Sequence, residues 1–198
     1  MGEEMIYLVR HGETELNKER KFYGSLDVSL NQTGRQQSSV LAEKLSSIQF
    51  AQLYTSGLKR AQETAAIIKP NEQYQILSEF NEKSFGLWEG LSADQINYNY
   101  SKEWSAWLDE PFLKTPPKAE EFACFKQRVI TGIKQIEGNL IHNQDQPILI
   151  VAHLGVLRVI DQYFTSVYSN FWSIDYQQSC YTCYRFKENR YQLEGRNQ

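Results

Sequence analysis

The run PILIVA at residues 147–152 constrains the fold more than any other feature of this sequence. It lacks the polar alternation of a half-exposed strand, and such a run is typical of a central parallel strand that is covered on both faces. A parallel strand is reached through a crossover connection, most often a helix. The run therefore predicts a sheet with helices packed against both of its faces.

Shorter runs elsewhere also have the length and composition of strands. Residues 5–10, 51–56 and 75–80 are short segments that alternate with helical patterns. Two further strands are expected at residues 180–186 and 190–195, where CYTCYRF and RYQLEG could form a hairpin at an edge of the sheet. Because strands and helices alternate, the sequence predicts an α/β fold with three α/β/α layers around a mostly parallel central sheet.

Apolar stripes at helical spacing predict the helices between these strands. The Thr33 hydroxyl is the expected N-cap of a helix over residues 33–48. The stripe of that helix consists of Val40, Leu41, Leu45 and Ile48. Residues 58–69 predict a second helix, which Pro70 terminates. A long helix is expected over residues 120–141, with a buried face made of Phe122, Phe125, Val129, Ile133, Ile136 and Leu140.

The segment 92–118 is rich in aromatic residues and ends in the turn TPPK. We expect it to form short helices, as a small helical cap inserted into the fold at about residues 92–118. Its aromatic side chains could roof a cleft and select a partly apolar ligand, or they could form a small satellite core. These side chains are Tyr98, Tyr100, Trp104, Trp107 and Phe112.

Composition excludes several classes of partner. The 198 residues include 21 Lys and Arg against 24 Asp and Glu, so the formal charge is −3 and no global basic field exists to hold nucleic acid or anionic lipid. No apolar run approaches the roughly 18 residues that a membrane span needs. The N-terminal residues lack the pattern of a secretory signal. We expect a cytoplasmic protein with a single domain over residues 1–198 and without nucleic-acid or membrane partners.

The cysteines Cys124, Cys180 and Cys183 are an odd number in a chain too long to need covalent cross-links, and we interpret them as reduced thiols. The C-x-x-C pair lies in a strand-like stretch, where residues three apart face opposite sides of a sheet, so a zinc site there is disfavoured. The third histidine of the chain, His142, follows the long helix, and we assign it no role.

Polar side chains follow four of the predicted strands near the point where each strand ends. Those that can bind phosphate or move protons are Arg10, His11, Arg60, Glu82 and His153. Ligands of open parallel sheets bind outside the carboxyl ends of the strands, so we expect these side chains to meet in one cleft. An arginine that leaves the core beside a histidine would be a costly unpaired charge, and a bound anion would neutralise it.

Four motifs, in order along the chain, carry a resemblance to a known family. They are LVRHGETELN at residues 8–17, YTSGLKRAQETA at 54–65, FNEKSFGLWEG at 80–90 and VAHLGVLR at 151–158. The chain resembles the histidine phosphatase superfamily in its phosphoglycerate mutase-like branch, and it is similar to compact bacterial phosphatases of the α-ribazole phosphatase kind. The resemblance implies a phosphoglycerate mutase-like fold that forms one histidine phosphatase domain.

The resemblance also implies roles for the residues that match the motifs. His11 would be the nucleophile that takes the phosphoryl group, and Glu82 would be the proton donor to the leaving oxygen. The residues that would bind the phosphate oxygens are Arg10, Asn17, Arg60 and His153. Tyr23 and Gly24 would border the substrate. Leu154 stands where the family commonly has glycine, and its backbone N–H remains available to the phosphate.

These residue types suit phosphoryl transfer without a metal. A phosphate monoester carries about two negative charges and repels an anionic nucleophile, whereas a neutral imidazole is not repelled. The Arg10 and Arg60 guanidinium groups can neutralise the phosphoryl oxygens and disfavour protonation of His11. We therefore expect a metal-independent phosphomonoesterase that acts through a phosphohistidine on a small phosphorylated metabolite, with no cofactor.

The sequence leaves alternatives open. A phosphoglycerate mutase would return the phosphoryl group to another hydroxyl, although the family's mutases usually carry a longer insertion before the second histidine. A metal-dependent hydrolase could use His11, Glu82 and His153 as ligands, but the flanking arginines would repel the cation. A non-catalytic phosphate-binding module would need neither a nucleophile nor an acid. A homodimer through the edge of the C-terminal strands is also open.

Overall fold

The computed structural model describes residues 4–140, 147–167, 171–187 and 190–198, so His142 lies outside the described residues. The strands are β1 (Glu4–Arg10), β2 (Gln52–Thr55), β3 (Gln75–Ile76), β4 (Ile148–Ala152), β5 (Tyr181–Lys187) and β6 (Arg190–Gly195). The helices are α1 (Glu15–Lys18), α2 (Gln32–Lys44), α3 (Lys59–Ile68), α4 (Ala93–Asn99), α5 (Ser101–Asp109), α6 (Phe122–Leu140) and α7 (Leu154–Thr165).

The described strands form one sheet in the order β3-β2-β4-β1-β5-β6. The first four strands in this order run parallel, and β5 and β6 are antiparallel to their neighbours. The strand β4 lies between β2 and β1, with Ile150 opposite Tyr54 on one side and Leu8 on the other. Every residue of β4 is buried, so the prediction of a doubly covered central strand is confirmed.

Helices cover both faces of this sheet. Alternate residues of β4 point to opposite faces, so Ile150 belongs to one apolar cluster and Leu149 to the other. The first cluster contains the buried face of α6, made of Phe125, Val129, Ile133 and Ile136. The second contains residues of α2 and α3 and the residue that follows α2, namely Leu41, Leu45, Ala61, Ala65 and Ile68. The predicted three-layer α/β/α architecture is confirmed.

The helix expected over residues 33–48 begins and ends earlier than predicted. Asn31, not Thr33, is its N-cap, because the Asn31 side chain accepts a hydrogen bond from the Gly34 backbone N–H at 2.8 Å. The apolar stripe was also too wide, since Leu41 is buried whereas Val40 is 43% exposed. The buried face of this helix is narrow, so Leu41 packs in the second cluster while its neighbour Val40, about 100° away around the helix axis, points to solvent.

The segment expected as a strand over residues 75–80 is extended for two residues only. Gln75 and Ile76 pair with β2, and the chain then forms a 3-10 turn over Ser78–Phe80. Phe80 is fully buried against α6, where its ring lies beside Gly132. The turn thus gives the segment an apolar anchor just before Glu82.

The cap segment forms the helices α4 and α5, and its rings pack together. Trp88 is fully buried. The centroid of its ring lies 5.5 Å from that of Trp104 and 5.7 Å from that of Trp107. Trp107 also lines a cavity and contacts Trp172, with 6.1 Å between their ring centroids. The aromatic residues therefore form a small cluster and, at the same time, part of a cavity wall.

Cys124, Cys180 and Cys183 are free thiols in this structure. Cys183 lies on β5 and is buried, whereas Cys124 is exposed on α6. In the parts of the chain that the structure describes, no helix is both long and apolar enough to cross a bilayer.

Candidate active site

The two histidines lie at the carboxyl ends of neighbouring central strands. His11 directly follows β1 and His153 directly follows β4, and these strands pair in parallel. The backbone N–H of His11 donates to the Ala152 carbonyl at 2.9 Å, which holds the two chain segments side by side beyond the sheet. Their imidazole rings are consequently close, with 5.0 Å between the centroids.

His11 is buried and held as one tautomer. Its exposed fraction is 4%, and its Nδ1 donates to the Gly12 carbonyl at 2.7 Å. A carbonyl can only accept, so Nδ1 carries the proton and the lone pair of Nε2 is free. Burial first, and then the charges of Arg60 and Arg10, lower the pKa of His11 well below its ordinary value of 6.5. The imidazole is therefore neutral at physiological pH.

Arg60 enters the same region from the first turn of α3. The side chain is fully buried, and its Nη1 and Nη2 atoms donate to the carbonyls of Leu26 and Gly24, both at 2.7 Å. Its Nε donates to His153 Nδ1 at 3.2 Å, and its guanidinium lies 4.6 Å from the centre of the Tyr23 ring. Among the described residues, these contacts orient the charge of Arg60 but include no carboxylate that neutralises it.

Arg10 supplies a second guanidinium at the end of β1. Its Nη1 donates to the Tyr176 carbonyl at 3.3 Å, and its buried Nε has no hydrogen-bond partner in the described part of the chain. A buried, unpaired N–H on a cation is costly unless a ligand accepts from it. The unpaired charges of Arg10 and Arg60 beside neutral imidazoles therefore make an anion-binding site.

The carboxylate of Glu82 is held by backbone N–H groups. Its Oε1 accepts from Lys83 N and its Oε2 from Gly155 N, both at 2.9 Å. A Cβ atom added at residue 155 would lie 2.5 Å from Oε1, closer than real contacts allow. The position in this segment where only glycine fits is therefore Gly155, one residue after Leu154. The group that passes close to it is the Glu82 carboxylate.

Asn17, on the short helix α1, and Tyr23 also line the cleft. Asn17 Oδ1 accepts from the Tyr23 hydroxyl at 2.8 Å and from the Thr14 backbone N–H at 3.1 Å. With its oxygen engaged in this way, the side-chain NH₂ group of Asn17 is the part that can donate to a ligand.

Seven of the nine predicted site residues line a cavity of about 360 Å³. Those that line it are Arg10, His11, Asn17, Tyr23, Arg60, Glu82 and Leu154. His153 is fully buried behind this surface, against Arg60 and His11. Gly24 is also absent from the cavity wall, and its carbonyl instead accepts from Arg60. A side chain at Gly24 would collide with the Lys83 carbonyl, 1.7 Å from the added Cβ.

Sequence reasoning missed several residues of this site, among them Ser56, Lys83 and Arg158. Ser56 follows β2, and its Oγ lies 2.7 Å from His153 Nε2, so the strand-end signal that marked the histidines could have marked it too. Lys83 is buried and lines the cavity next to Glu82. Arg158 lines the cavity one helical turn after Leu154, a spacing that the sequence already contained.

The donor set does not fit a metal. His11 Nδ1 is engaged by a carbonyl, His153 Nδ1 faces a guanidinium, and a cation would have to enter beside Arg10 and Arg60. Within the described ranges, no group of three or more His, Cys, Asp or Glu could hold a metal ion. The arrangement of charges instead suits a dianion.

The fold and the site define an α/β protein with paired strand-end histidines beside two guanidinium groups that have no carboxylate partner among the described residues. The chain belongs to the histidine phosphatase superfamily (branch 1), whose family model matches residues 6–198. The resemblance found in the four sequence motifs is thereby confirmed.

Individual proteins of this family align over most of the chain. Phosphoserine phosphatase 1 of Hydrogenobacter thermophilus is 27% identical over 188 residues, which are 93% of this chain and 88% of that protein. Adenosylcobalamin/alpha-ribazole phosphatase of Escherichia coli is 32% identical over 157 residues, 78% of this chain and 76% of that protein. The crystal structure of a putative alpha-ribazole-5'-P phosphatase from Escherichia coli superposes with a TM-score of 0.91 at 28% identity, covering 98% of this chain and 96% of that one.

Proposed function

We propose that this protein is a metal-independent phosphomonoesterase that hydrolyses a small phosphorylated metabolite through a phosphohistidine on His11. The observation that carries the proposal is the state of His11, a neutral imidazole with a free Nε2 beside two unpaired guanidinium groups. A dianionic ester is attracted by the arginines and is not repelled by this nucleophile. The phosphatases among the relatives support the same class of reaction.

In the first half of the reaction, His11 Nε2 attacks phosphorus. The N–P bond forms as the P–O bond to the leaving group breaks, and Arg10 and Arg60 stabilise the charge on the three equatorial oxygens. Glu82 lines the same cavity and, in its acid form, gives its proton to the leaving oxygen. The product alcohol then departs.

In the second half, water attacks the phosphohistidine. Glu82, now a carboxylate, takes a proton from this water as the new O–P bond forms and the N–P bond breaks. Inorganic phosphate is released, and His11 returns to its neutral form with the proton on Nδ1. His153 is buried behind His11 and its Nδ1 accepts from Arg60 Nε. We assign it the role of donor to the phosphoryl oxygens in both halves, which requires that Nδ1 gain a proton and exchange its contact with Arg60 for the phosphoryl group when the ester binds.

Trapping of the phosphoenzyme tests this mechanism. We expect acid-labile, base-stable label on the protein after a rapid quench with a ³²P-labelled monoester, and no label on His11→Ala. Trace hydrolysis should survive in His153→Ala. Label on His11→Ala would contradict the assignment of the nucleophile, and loss of activity with EDTA would contradict a metal-independent reaction.

Product analysis separates hydrolysis from phosphoryl transfer between hydroxyls. With 3-phosphoglycerate as substrate, we expect free phosphate and glycerate. Formation of 2-phosphoglycerate would instead identify a mutase.

A further inference from the structure

The cavity wall carries more positive charge than one phosphate needs. Besides the two arginines of the phosphate site, the cationic side chains that line it are Arg20, Lys21, Lys83 and Arg158. Glu82 is the one carboxylate on this wall within the described residues. Lys21 is paired with Glu19 at 2.7 Å, and Arg20 is exposed. The charges of Lys83 and Arg158 are not balanced by a salt bridge in the described part of the chain.

Lys83 is the cation whose environment most clearly calls for a ligand. Its exposed fraction is 8%, and within the described ranges its ammonium makes one hydrogen bond, to the Ser84 carbonyl at 3.3 Å. The ammonium lies 5.1 Å from the centre of the Phe85 ring, which also lines the cavity. An ammonium has three N–H donors, so two remain for a ligand.

The carboxylates that act on Lys83 are engaged elsewhere. Glu120 forms a forked pair with Arg128, with N–O distances of 2.7 and 2.8 Å. Glu82 accepts from two backbone N–H groups. Burial lowers the pKa of Lys83, and Glu120 is the largest of the opposing charges. Burying an ammonium without a close counter-charge is costly, and an anionic group of a ligand would remove that cost.

The remainder of the wall is mainly aromatic. Rings from α5, from the segments around residues 22 and 85, from α6 and from the 3-10 turn Phe171–Ser173 contribute to it. They include Phe22, Phe85, Trp107, Phe122, Phe171 and Trp172. Such a wall favours a planar apolar group, because ring faces and edges pack against one another and exclude water.

We propose that the leaving group of the substrate combines an aromatic ring with a second anionic group, such as a carboxylate, and that Lys83 pairs with that anion. This inference rests on the proposed phosphatase function and specifies its substrate class. The phosphate occupies the site between Arg10 and Arg60, the ring packs against the aromatic wall, and the second anion reaches Lys83. A cavity of about 360 Å³ accommodates a ligand of this size.

A pair of matched substrates tests the second anion. 4-Carboxyphenyl phosphate and 4-carbamoylphenyl phosphate share a ring and nearly the same shape, and they differ in one charge. We expect kcat/KM for the carboxylate to exceed that for the carboxamide by about tenfold or more, because one charge-assisted hydrogen bond provides a difference of this size. In Lys83→Met the ratio should fall toward one, and Lys83→Arg should keep most of it. Lys102→Met, which removes an exposed lysine of α5, should leave the ratio as in the wild type.

Binding to His11→Ala separates this inference from the catalytic proposal. Calorimetry on that variant should give a Kd for 4-carboxyphenyl phosphate about tenfold lower than for the carboxamide. Equal Kd values, or a ratio that Lys83→Met leaves unchanged in a folded variant, would overturn the inference even if phosphohistidine forms. Absence of phosphohistidine with the Kd ratio intact would overturn the catalytic mechanism and leave the subsite in place.

The aromatic part is tested by Trp172→Ala, since Trp172 is half-exposed and its removal spares the core. We expect the affinity of the His11→Ala protein for 4-carboxyphenyl phosphate to fall about fivefold, and its affinity for O-phosphoserine, which has the carboxylate without a ring, to change less. Equal losses for both ligands would contradict a ring-binding wall.

Discussion

The carboxylate of Glu82 and the backbone of Gly155 are in direct contact at the wall of the cavity. The Gly155 N–H donates to Oε2 at 2.9 Å, and there is no room for a Cβ between the two residues. The motif VAHLGVLR at residues 151–158 therefore fixes the position of Glu82, the proposed general acid, as well as that of His153. This contact links residues 73 positions apart in the sequence.

Gly155→Ala should displace the Glu82 carboxylate. We expect kcat to fall about tenfold or more for an alkyl phosphate, whose leaving oxygen needs a proton, and to fall much less for p-nitrophenyl phosphate. Steady-state kinetics on both substrates measures the difference. Gly138→Ala on α6 is the matched control, because a Cβ at Gly138 meets no atom within 4 Å. Equal losses on both substrates would show that Gly155 acts on folding rather than on the acid.

Ser56 should set the tautomer of His153. The Nε of Arg60 can only donate, so in this structure His153 Nδ1 accepts and His153 Nε2 donates to Ser56 Oγ. To donate to phosphate, Nδ1 must carry the proton, and the Ser56 hydroxyl must then donate to Nε2. We expect Ser56→Ala to weaken inhibition by inorganic phosphate or vanadate about tenfold.

The neighbouring hydroxyl provides the control for Ser56. Thr55 Oγ1 is buried without a hydrogen-bond partner in the described residues, so Thr55→Val should leave phosphate affinity unchanged and keep or raise stability. A comparable loss of affinity in both variants would argue against the tautomer role.

Stability should fall as the pH drops below about 6.5. The pKa values of buried His11 and His153 both lie well below 6.5 in the folded protein, so the unfolded chain binds their protons first. Their contribution is present above pH 6.5 and is lost as the pH falls from there toward the lowered pKa values. Each imidazole contributes a slope of about 1.4 kcal/mol per pH unit at most.

Urea unfolding between pH 7.5 and 5.5 measures this slope. His153→Asn should reduce the dependence of unfolding free energy on pH by up to one proton. A slope that is the same in the variant and in the wild type would contradict a neutral buried His153.

Asp161 should be needed for stability. It is 3% exposed on α7, and its Oδ2 accepts from the hydroxyls of Tyr176 at 3.0 Å and Tyr184 at 2.5 Å and from Arg196 at 2.5 Å. Asp161→Asn leaves the charge of Arg196, whose side chain is 31% exposed, without its partner, which costs about 2 kcal/mol. Denaturant unfolding would show this, and exposed Asp109→Asn should change stability by less than about 0.5 kcal/mol.

The central part of the fold and the anion site could be predicted from the sequence. The unbroken apolar character of β4 has one simple explanation, and the rule for strand ends then brings His11, Arg60 and His153 together. These predictions succeed because the burial of a strand and the place of a residue at its end can be inferred from the local sequence, even when the contacting residues are unknown.

The remaining features depend on pairs of residues that the sequence does not connect. Asn31 rather than Thr33 caps α2, because its side chain is the one that accepts from the Gly34 N–H. The contact between Gly155 and Glu82, and the burial of Lys83, arise from the 3-10 turn after β3 and the docking of α7. Local sequence patterns do not indicate contacts between residues that lie far apart in the chain.

The indole of Trp107 lines the cavity and stacks on Trp104, with 5.5 Å between ring centroids. A ligand that enters the cavity alters the polarity around an intrinsic fluorophore. The protein thus contains its own optical reporter of occupancy, and candidate metabolites can be ranked by tryptophan emission without labels and without turnover.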